Sequence, residues 1–332
     1  MHSVDWIIPH PHGIYIRPAD MWVDVSTPQE HVLVTHGHAD HARGGHGCTY
    51  ATPATLDIMK LRYGVVDGVR LPYGACFTRH GVEISLHPAG HILGSAQILL
   101  KYGGERVVIT GDYKRGKDPT CAPFELTPCD VLVTEATFAL PVFEHPPIGV
   151  EINKLLRMNA ENPDRTIIVG AYALGKAQRV IVSLRQAGYR EPIYLHGAME
   201  KMCALYEAHG IELGELRPAT ALASASLPGE IVICPPSALH DRWSRRFADP
   251  VLAMASGWMQ VRQRARQKNI DLPLIISDHA DWRELTGTIS ALRPSETWVT
   301  HGRAEALIRW CELNQLKARA LHLIGREDED EG

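Results

Sequence analysis

Five short runs of apolar, β-branched residues recur along the chain, and each ends in Thr or Ser just before a His, Asp or Glu. The runs cover residues 32–35, 107–110, 131–134, 274–277 and 297–300. Runs of this length and composition predict buried β-strands. The residues that follow them are His36, Asp112 (after Gly111), Glu135, Asp278 with His279, and His301. Because polar groups at strand ends can converge on one edge of a sheet, the pattern predicts a site in a layered α/β fold.

The pattern changes between Pro141 and Pro273. There the spacing predicts helices over 151–162 and 174–187 and strands over 165–170 and 230–234, with Gly188 ending the second helix. This stretch has few candidate ligands. We therefore expect one catalytic domain, formed by 1–140 and 274–332 and split by an inserted domain at 141–273. We expect the acidic end, 327–332, to be a frayed tail.

Composition narrows the function classes. Of 332 residues, 45% are hydrophobic and 22% charged, which is ordinary globular composition. The net charge of -4 excludes a uniformly basic nucleic-acid binder but permits a local basic groove. Seven scattered cysteines without a C-x-x-C pair indicate reduced thiols. With no signal-like start and no apolar run of about 18 residues, the sequence predicts a cytoplasmic protein without a membrane span.

The densest set of reactive side chains is His36-Gly37-His38-Ala39-Asp40-His41, directly after the first apolar run. Imidazole and carboxylate groups are the ligands that suit zinc, manganese and iron. Four such groups within six residues can face two neighbouring ions, and Gly37 allows close backbone approach. The sequence therefore predicts a metal site. A histidine-rich surface loop that binds nothing is the alternative.

Two later residues extend this set. His91 lies in the segment 88–95, and Asp112 follows Gly111. Alone, a histidine before an apolar run is typical of a packed or capping residue, and Gly-Asp is typical of a turn. In this order after the first motif, both are predicted to be ligands.

Together these motifs resemble those of the metallo-β-lactamase superfamily, and the later motifs resemble its nucleic-acid-processing branch with an inserted β-CASP cap. Glu135 matches the acidic residue after the Asp motif, the segment 277–281 matches Ser-x-His-x-Asp, and 299–302 matches Val-x-His-Gly. The resemblance covers nearly the whole chain. It implies an α/β fold, a metallo-β-lactamase αββα sandwich with an inserted α/β β-CASP cap domain.

The resemblance also implies two divalent metal ions per chain, zinc or manganese. The first ligand set would be His36, His38, His91 and Asp112, and the second Asp40, His41, Asp112 and His301. Two such ions activate a hydroxide for attack on a phosphodiester and stabilise the attacking and leaving oxygens. The implied catalytic residues are Asp40, Glu135 and His279. His279 would be the general acid for the leaving 3'-oxygen, with Glu135 orienting its ring. A strand-end salt bridge for Glu135 and a packing role for His279 are the alternatives.

The inserted domain has two candidate substrate-binding segments. The segment 170–178 leads from a strand into a helix, where backbone N–H groups and Lys176 can bind an anion. It resembles the Gly-Lys element of Artemis-like DNA nucleases and the Leu-Gly-Arg element of related RNA nucleases. The segment 256–259 resembles the Thr-Gly-Trp element of those DNA nucleases and precedes a basic run at 262–268, which can contact phosphates. The candidates are Tyr172, Gly175, Lys176 and Trp258, the last as a base-stacking residue. Ordinary helix entry, a solvated charge run and a core tryptophan are the alternatives.

The leading functional prediction is a DNA nuclease of DNA repair. Segments 18–22 and 35–43 resemble the ligase-associated DNA exonucleases, which are associated with a DNA ligase and a helicase. A DNA strand or DNA end is the expected partner. His301 matches RNA-cleaving members, so a ribonuclease resembling ribonuclease J or the cleavage-and-polyadenylation endonuclease is the alternative. Lys176 and the segment 277–281 argue against a small-molecule thiolesterase or lactamase. A non-enzymatic binding protein is least favoured, because no ligand position is degenerate.

Overall fold

A computed structural model describes residues 5–220, 228–300 and 302–321. The chain divides into two compact units. The first unit comprises Met1–Glu144 and His279–Glu331, and the second unit comprises His145–Asp278. The sequence predicted the insertion at 141–273. His301 and the acidic tail at 327–332 lie outside the described residues, so their predicted roles stay predictions.

Two β-sheets form the centre of the first unit, with strands and helices numbered here along the whole chain. One sheet has the order β1-β2-β3-β4-β5-β6. Its strands are Ile7–His10, Gly13–Ile16, Met21–Val23, His31–Leu33, Cys48–Ala51 and Gly68–Arg70. The other sheet has the order β19-β18-β11-β10-β9-β8-β7. Its strands are β7 Cys76–Arg79, β8 Val82–Pro88, β9 Ala96–Tyr102, β10 Glu105–Ile109, β11 Val131–Thr134, β18 Glu296–Val299 and β19 Ala318–Ala320.

The two sheets pack against each other through their alternating apolar residues. One buried cluster combines Leu33 of β4 with Val107 and Ile109 of β10, while Val108 points to the opposite face. On that face α6 (Trp282–Leu292) and α7 (Ala304–Leu313) pack through residues such as Leu285. Helix α1 (Pro53–Tyr63) covers the outer face of the first sheet near β4 and β5. This order of layers fits the predicted αββα sandwich.

The second unit is built on a six-stranded parallel sheet with the order β14-β13-β15-β12-β16-β17. The strands are β12 Ile167–Gly170, β13 Ile193–Leu195, β14 Leu216–Pro218, β15 Ile231–Cys234, β16 Val251–Ala255 and β17 Leu272–Leu274. Its α-helices are α2 Ile148–Glu161, α3 Lys176–Gln186, α4 Gly197–Ala208 and α5 Arg262–Gln267. A sheet covered by helices buries its strands on both faces, which explains the continuous apolar runs of β12 and β15.

The five apolar runs do not lie in one sheet, which corrects the simplest form of the sequence expectation. Three of them form the adjacent parallel strands β10, β11 and β18, so their ends do share one edge. The run at 32–35 begins in β4, in the other sheet of the first unit, and continues two residues past the end of that strand. The first residue of the run at 274–277 is the last residue of β17 in the second unit, and the rest of the run follows that strand. The converging ligands therefore come from loops of two facing sheets.

None of the helices in the described ranges has the length and apolar character needed to span a bilayer. No disulfide joins the seven cysteines, all of which lie within those ranges.

Candidate metal centre

The loop 36–41 leaves β4 and turns tightly back into the first unit. The amides of His41 and Ala42 both bond the His38 carbonyl, at 3.2 and 2.7 Å. A side chain at Gly37 would place its Cβ 2.6 Å from Ile58 Cγ2 of α1, so the loop packs closely on that helix. Gly111 has a φ of +57°, and a Cβ there would lie 2.7 Å from Thr35. The two glycines therefore allow the ligand-bearing loops to approach each other.

Four side chains from three loops meet in a buried group. One ligand atom from each lies within 4.8 Å of every other, and the group is His36, His38, His91 and Asp112. The Nε2 atom of His91 lies 3.0 Å from His38 Nδ1. Asp112 Oδ2 lies 3.4 Å from His36 Nε2 and 3.9 Å from His91 Nε2. The structure thus brings together the four residues that the sequence grouped as one ligand set.

The same oxygen of Asp112 also faces the second predicted ligand set. His41 Nε2 lies 3.4 Å from Asp112 Oδ2 and 3.2 Å from Asp40 Oδ2. Asp112 Oδ2 therefore faces residues of both predicted ligand sets. We refer to His36, His38, Asp40, His41, His91 and Asp112 as the histidine–aspartate cluster.

Sequence reasoning missed a seventh residue of this region, Asp24. It is buried at the end of β3, and its Oδ2 lies 2.8 Å from His41 Nδ1. The same carboxylate accepts hydrogen bonds from the Thr35 amide at 2.8 Å and the Thr35 hydroxyl at 2.6 Å. A carboxylate on Nδ1 places the ring proton there and leaves Nε2 as the ligand atom. Asp24 therefore orients His41. No local motif marked it, because it precedes the His36 loop by a separate strand.

Burial and charge prepare the cluster for a cation. Burial lowers the pKa of His36 to about 4, so its imidazole is neutral at pH 7. Burial also lowers the pKa of His41, but the nearby carboxylates, Asp40 foremost, outweigh it and hold that pKa well above its usual value. Burial opposes ionisation of Asp112, yet His41 and His36 keep its pKa well below the usual range. The site thus presents ionised carboxylates, which favour a bound cation.

The donor set fits divalent metal ions. His36 Nε2 and Asp40 Oδ1 are buried and make no hydrogen bond within the described ranges. Buried polar atoms are normally paired, so ligand atoms of this kind are explained by coordination. Imidazole and carboxylate together suit zinc or manganese. His301, the remaining predicted ligand, lies outside the described residues.

The predicted acid, His279, and its predicted orienting carboxylate, Glu135, lie beside the histidine–aspartate cluster. His279 Nδ1 lies 3.0 Å from Glu135 Oε2 and 4.0 Å from Asp112 Oδ2. Glu135 is fully buried, and its Oε1 accepts the Tyr113 amide at 2.7 Å. Burial raises the pKa of Glu135, opposed by His279. The structure thus brings the His279 ring and the Glu135 carboxylate together, and their roles as acid and orienting group stay predictions.

In the second unit, Lys176 has a partner that the sequence did not predict. Its Nζ lies 3.2 Å from Asp278 Oδ1, both side chains are 3% exposed, and the ammonium lies 5.1 Å from the Tyr172 ring centre. The Gly175 amide at the start of α3 donates to Gln178 Oε1 at 2.8 Å. An anion there would have to compete with these contacts. The predicted substrate roles of Tyr172, Gly175 and Lys176 stay predictions.

Trp258 and the basic run also lie together. Trp258 is half-buried in a 3₁₀ turn, Gly257–Gln260, and the guanidinium of Arg264 lies 4.1 Å from its ring centre. One ring face is thus occupied by a cation. Arg262 and Arg266 of α5 are exposed. The structure gives a cationic surface beside the tryptophan, and base stacking by Trp258 stays a prediction.

Comparison with known proteins yields no matching family model. The chain is 29% identical over 324 residues to a probable DNA ligase from Opitutus terrae, covering 95% of this chain and 31% of that protein. It is 25% identical over 209 residues to an RNase J-like protein from Methanocaldococcus jannaschii, covering 54% of this chain and 50% of the relative. It is 26% identical over 250 residues to the endoribonuclease YSH1 of Mycosarcoma maydis, covering 59% of this chain and 27% of the relative.

The chain therefore spans half or less of the length of these curated relatives. Among solved structures, it matches a protein of unknown function from Enterococcus faecalis V583 with a TM-score of 0.57. That match covers 83% of this chain and 76% of the other at 15% identity. A match at this identity supports the fold alone.

Proposed function

We propose that this chain, a homologue of nucleases of the metallo-β-lactamase/β-CASP family, is a two-metal nuclease that hydrolyses phosphodiesters of DNA. The observation that carries the proposal is the position of Asp112 Oδ2. It lies 3.4 Å from both His36 and His41 and 4.0 Å from His279, so ligand groups and a candidate acid surround one oxygen. Relatives named DNA ligase, RNase J-like protein and endoribonuclease support nucleic acid as the substrate.

His36, His38, His91 and Asp112 would hold the first ion, and Asp40, His41, Asp112 and His301 would hold the second. The bound ions would activate water and neutralise the charge that develops on the phosphoryl oxygens. Asp24 fixes the His41 ring through the 2.8 Å contact. Asp40, whose Oδ2 lies 3.2 Å from His41 Nε2, would add negative charge that helps to hold the second ion and would serve catalysis in that way.

His279 protonates the leaving 3'-oxygen in this proposal. A general acid must reach the leaving oxygen and carry a proton at working pH. The buried Glu135 carboxylate on Nδ1 stabilises the imidazolium and orients Nε2 away from the glutamate. The proton then passes from Nε2 to the leaving oxygen, and water restores it.

DNA is favoured over RNA by the extent of the matches. The relative named probable DNA ligase covers 95% of this chain, whereas the RNase J-like protein and endoribonuclease YSH1 cover 54% and 59%. The match covers only 31% of the relative named probable DNA ligase. A long relative of that name, with this chain matching one part of it, supports a functional association between this chain and a DNA ligase. We extend the proposal to a repair exonuclease in the cytoplasm that acts with a ligase and a helicase, as the resemblance to the ligase-associated exonucleases implies. A ribonuclease is the second candidate, because several relatives are named endoribonucleases.

The second unit would be the β-CASP cap and would contact the substrate backbone. The exposed Arg262 and Arg266 of α5 supply cations that can neutralise phosphates without reading sequence. Trp258, whose ring packs against Arg264, would be the base-stacking residue beside these cations. An anion would bind at the start of α3, near Tyr172, Gly175 and Lys176. The Lys176 ammonium would then interact with both Asp278 and a phosphate.

The test is a matched set of end-labelled DNA and RNA strands, each with a 5'-phosphate or a 5'-hydroxyl, incubated with zinc or manganese. Stepwise shortening of DNA alone is the expected result. Cleavage of RNA alone would favour the ribonuclease. Absence of hydrolysis of every strand, with hydrolysis of a thioester or β-lactam, would overturn the nuclease proposal.

A further inference from the structure

His279 is fixed at two points, one on its ring and one on its main chain. Glu135 Oε2 lies 3.0 Å from Nδ1, and the Lys114 ammonium donates to the His279 carbonyl oxygen at 3.1 Å. The other oxygen of Glu135 accepts the Tyr113 amide at 2.7 Å. Tyr113 and Lys114 directly follow Asp112 in the chain. The segment that carries Asp112 therefore bonds the His279 carbonyl directly through Lys114 and holds Glu135 through the Tyr113 amide.

The Lys114 ammonium is itself held in place. Lys114 is 7% exposed, and its Nζ lies 3.1 Å from Glu284 Oε2 in the first turn of α6. The other oxygen of Glu284 accepts the Gly116 amide at 2.6 Å. Glu284 also forms a capping box with Asp281, which starts α6 two residues after His279. One carboxylate thus connects the helix start, the 114–116 loop and the lysine.

These contacts distinguish Lys114 from a lysine that binds substrate. Its charge is matched by Glu284, and it donates to a main-chain carbonyl rather than pointing into solvent. Lys117, three residues along the same loop, is exposed by contrast. The Lys114 ammonium is therefore used within the protein, where it holds the main chain of His279 in place.

We propose that Lys114, fixed by Glu284, is a positioning residue for the acid step, setting the distance between the His279 ring and the Asp112 oxygen. This inference rests on the proposed phosphodiester hydrolysis. A general acid acts only within hydrogen-bond reach of the leaving oxygen, roughly 2.6–3.2 Å. A displacement of about 1 Å at a reacting group costs on the order of 10²-fold in rate. Loss of the carbonyl contact lets the His279 main chain shift while Glu135 still holds the ring.

The test compares two substrates that differ in their need for an acid. A DNA strand leaves as an alkoxide that requires a proton, whereas bis(p-nitrophenyl) phosphate releases p-nitrophenolate, which is stable without one. Lys114→Met should lower kcat on DNA roughly 10- to 100-fold with KM nearly unchanged. Its rate on the p-nitrophenyl ester should stay within about twofold of the parent protein. Lys114→Arg, which keeps the charge and donors, should recover much of the DNA rate.

Two further variants keep the test decisive. Lys117→Met removes an exposed lysine from the same loop and should keep both rates. The double variant Lys114→Met with Glu284→Gln avoids an uncompensated carboxylate, so it separates mispositioning from misfolding. Equal losses on both substrates, or loss of bound metal, would show that Lys114 only supports the fold. Full DNA activity in Lys114→Met would overturn the inference directly. Failure of the parent protein to hydrolyse either substrate would instead remove the proposed function, and the inference with it.

Discussion

The Asp24 carboxylate lies 2.8 Å from His41 Nδ1, and both side chains are buried. This contact holds Nδ1 of His41 toward Asp24 and Nε2 toward Asp112. In metal sites, a carboxylate bonded to the ring nitrogen that does not bind the metal sets the tautomer and orientation of the histidine. Asp24 therefore belongs to the site because it orients His41, and it is not itself one of the predicted metal ligands.

Asp24→Asn should therefore weaken metal binding. The NH₂ group of Asn can donate a hydrogen bond to Nδ1, which would favour the tautomer with its proton on Nε2 and block the ligand atom. The expected loss is roughly 10- to 100-fold in metal affinity. Metal titration against a competing chelator measures it. Asp118→Asn is the matched control, since Asp118 is also buried and bonds the amide and hydroxyl of Thr120. Equal effects of the two variants would contradict the assigned role.

Asp112→Ala should abolish hydrolysis of every substrate and reduce the metal content per chain. The reason is that one carboxylate oxygen serves both ligand sets, at 3.4 Å from His36 and from His41. Elemental analysis of the purified variant, beside an activity assay, provides the measurement. Normal metal content with full activity would rule out the two-ion arrangement.

His279→Ala should reduce the rate on DNA by on the order of 10²–10⁴-fold while metal content stays near that of the parent protein. Its Nδ1 lies 3.0 Å from Glu135 Oε2 and 4.0 Å from Asp112 Oδ2. Kinetics on DNA and on bis(p-nitrophenyl) phosphate, with metal analysis, test this. If the variant lost a metal ion, His279 would be a ligand and the acid would have to be sought elsewhere.

Chelation should lower the thermal stability of the protein. A ligand that binds only the folded state at 100 times its Kd adds about 2.7 kcal/mol of stability. Here the carboxylates of buried Asp112 and half-buried Asp40 gain a counter-charge when the ions bind. Thermal unfolding with and without chelator measures the shift, and Asp112→Ala should show a much smaller one. Identical melting curves for the parent protein would contradict a bound metal.

Lys176→Ala should destabilise the second unit by roughly 3–5 kcal/mol, because it leaves the buried Asp278 without its ammonium partner. The double variant Lys176→Met with Asp278→Asn removes both charges and should recover most of that stability. Denaturant unfolding measures both. If Lys176 also contacts a terminal phosphate, the folded double variant will still lose any preference for a 5'-phosphate over a 5'-hydroxyl. A retained preference would show that the ion pair is purely structural.

The first ligand loop could be predicted from sequence because its ligands are local. His36, His38, Asp40 and His41 lie within six residues, so their proximity follows from chain geometry alone. The roles of His91, Asp112, Glu135 and His279 needed more, namely their order along the chain and its resemblance to a family. The sequence also predicted β12, α3 and Gly188 after it, since periodicity and end residues are local properties.

Only the tertiary structure decided which distant groups face each other. Asp24 reaches Thr35 because β3 pairs in parallel with β4, with Val23 beside Leu33. The contacts of Lys114 with His279 and of Lys176 with Asp278 each join residues about a hundred positions or more apart. An apolar run predicts a strand but not its partner, because pairing is selected by packing over the whole fold. The sequence therefore determined the chemical groups of the site, and strand pairing determined the residues that orient them.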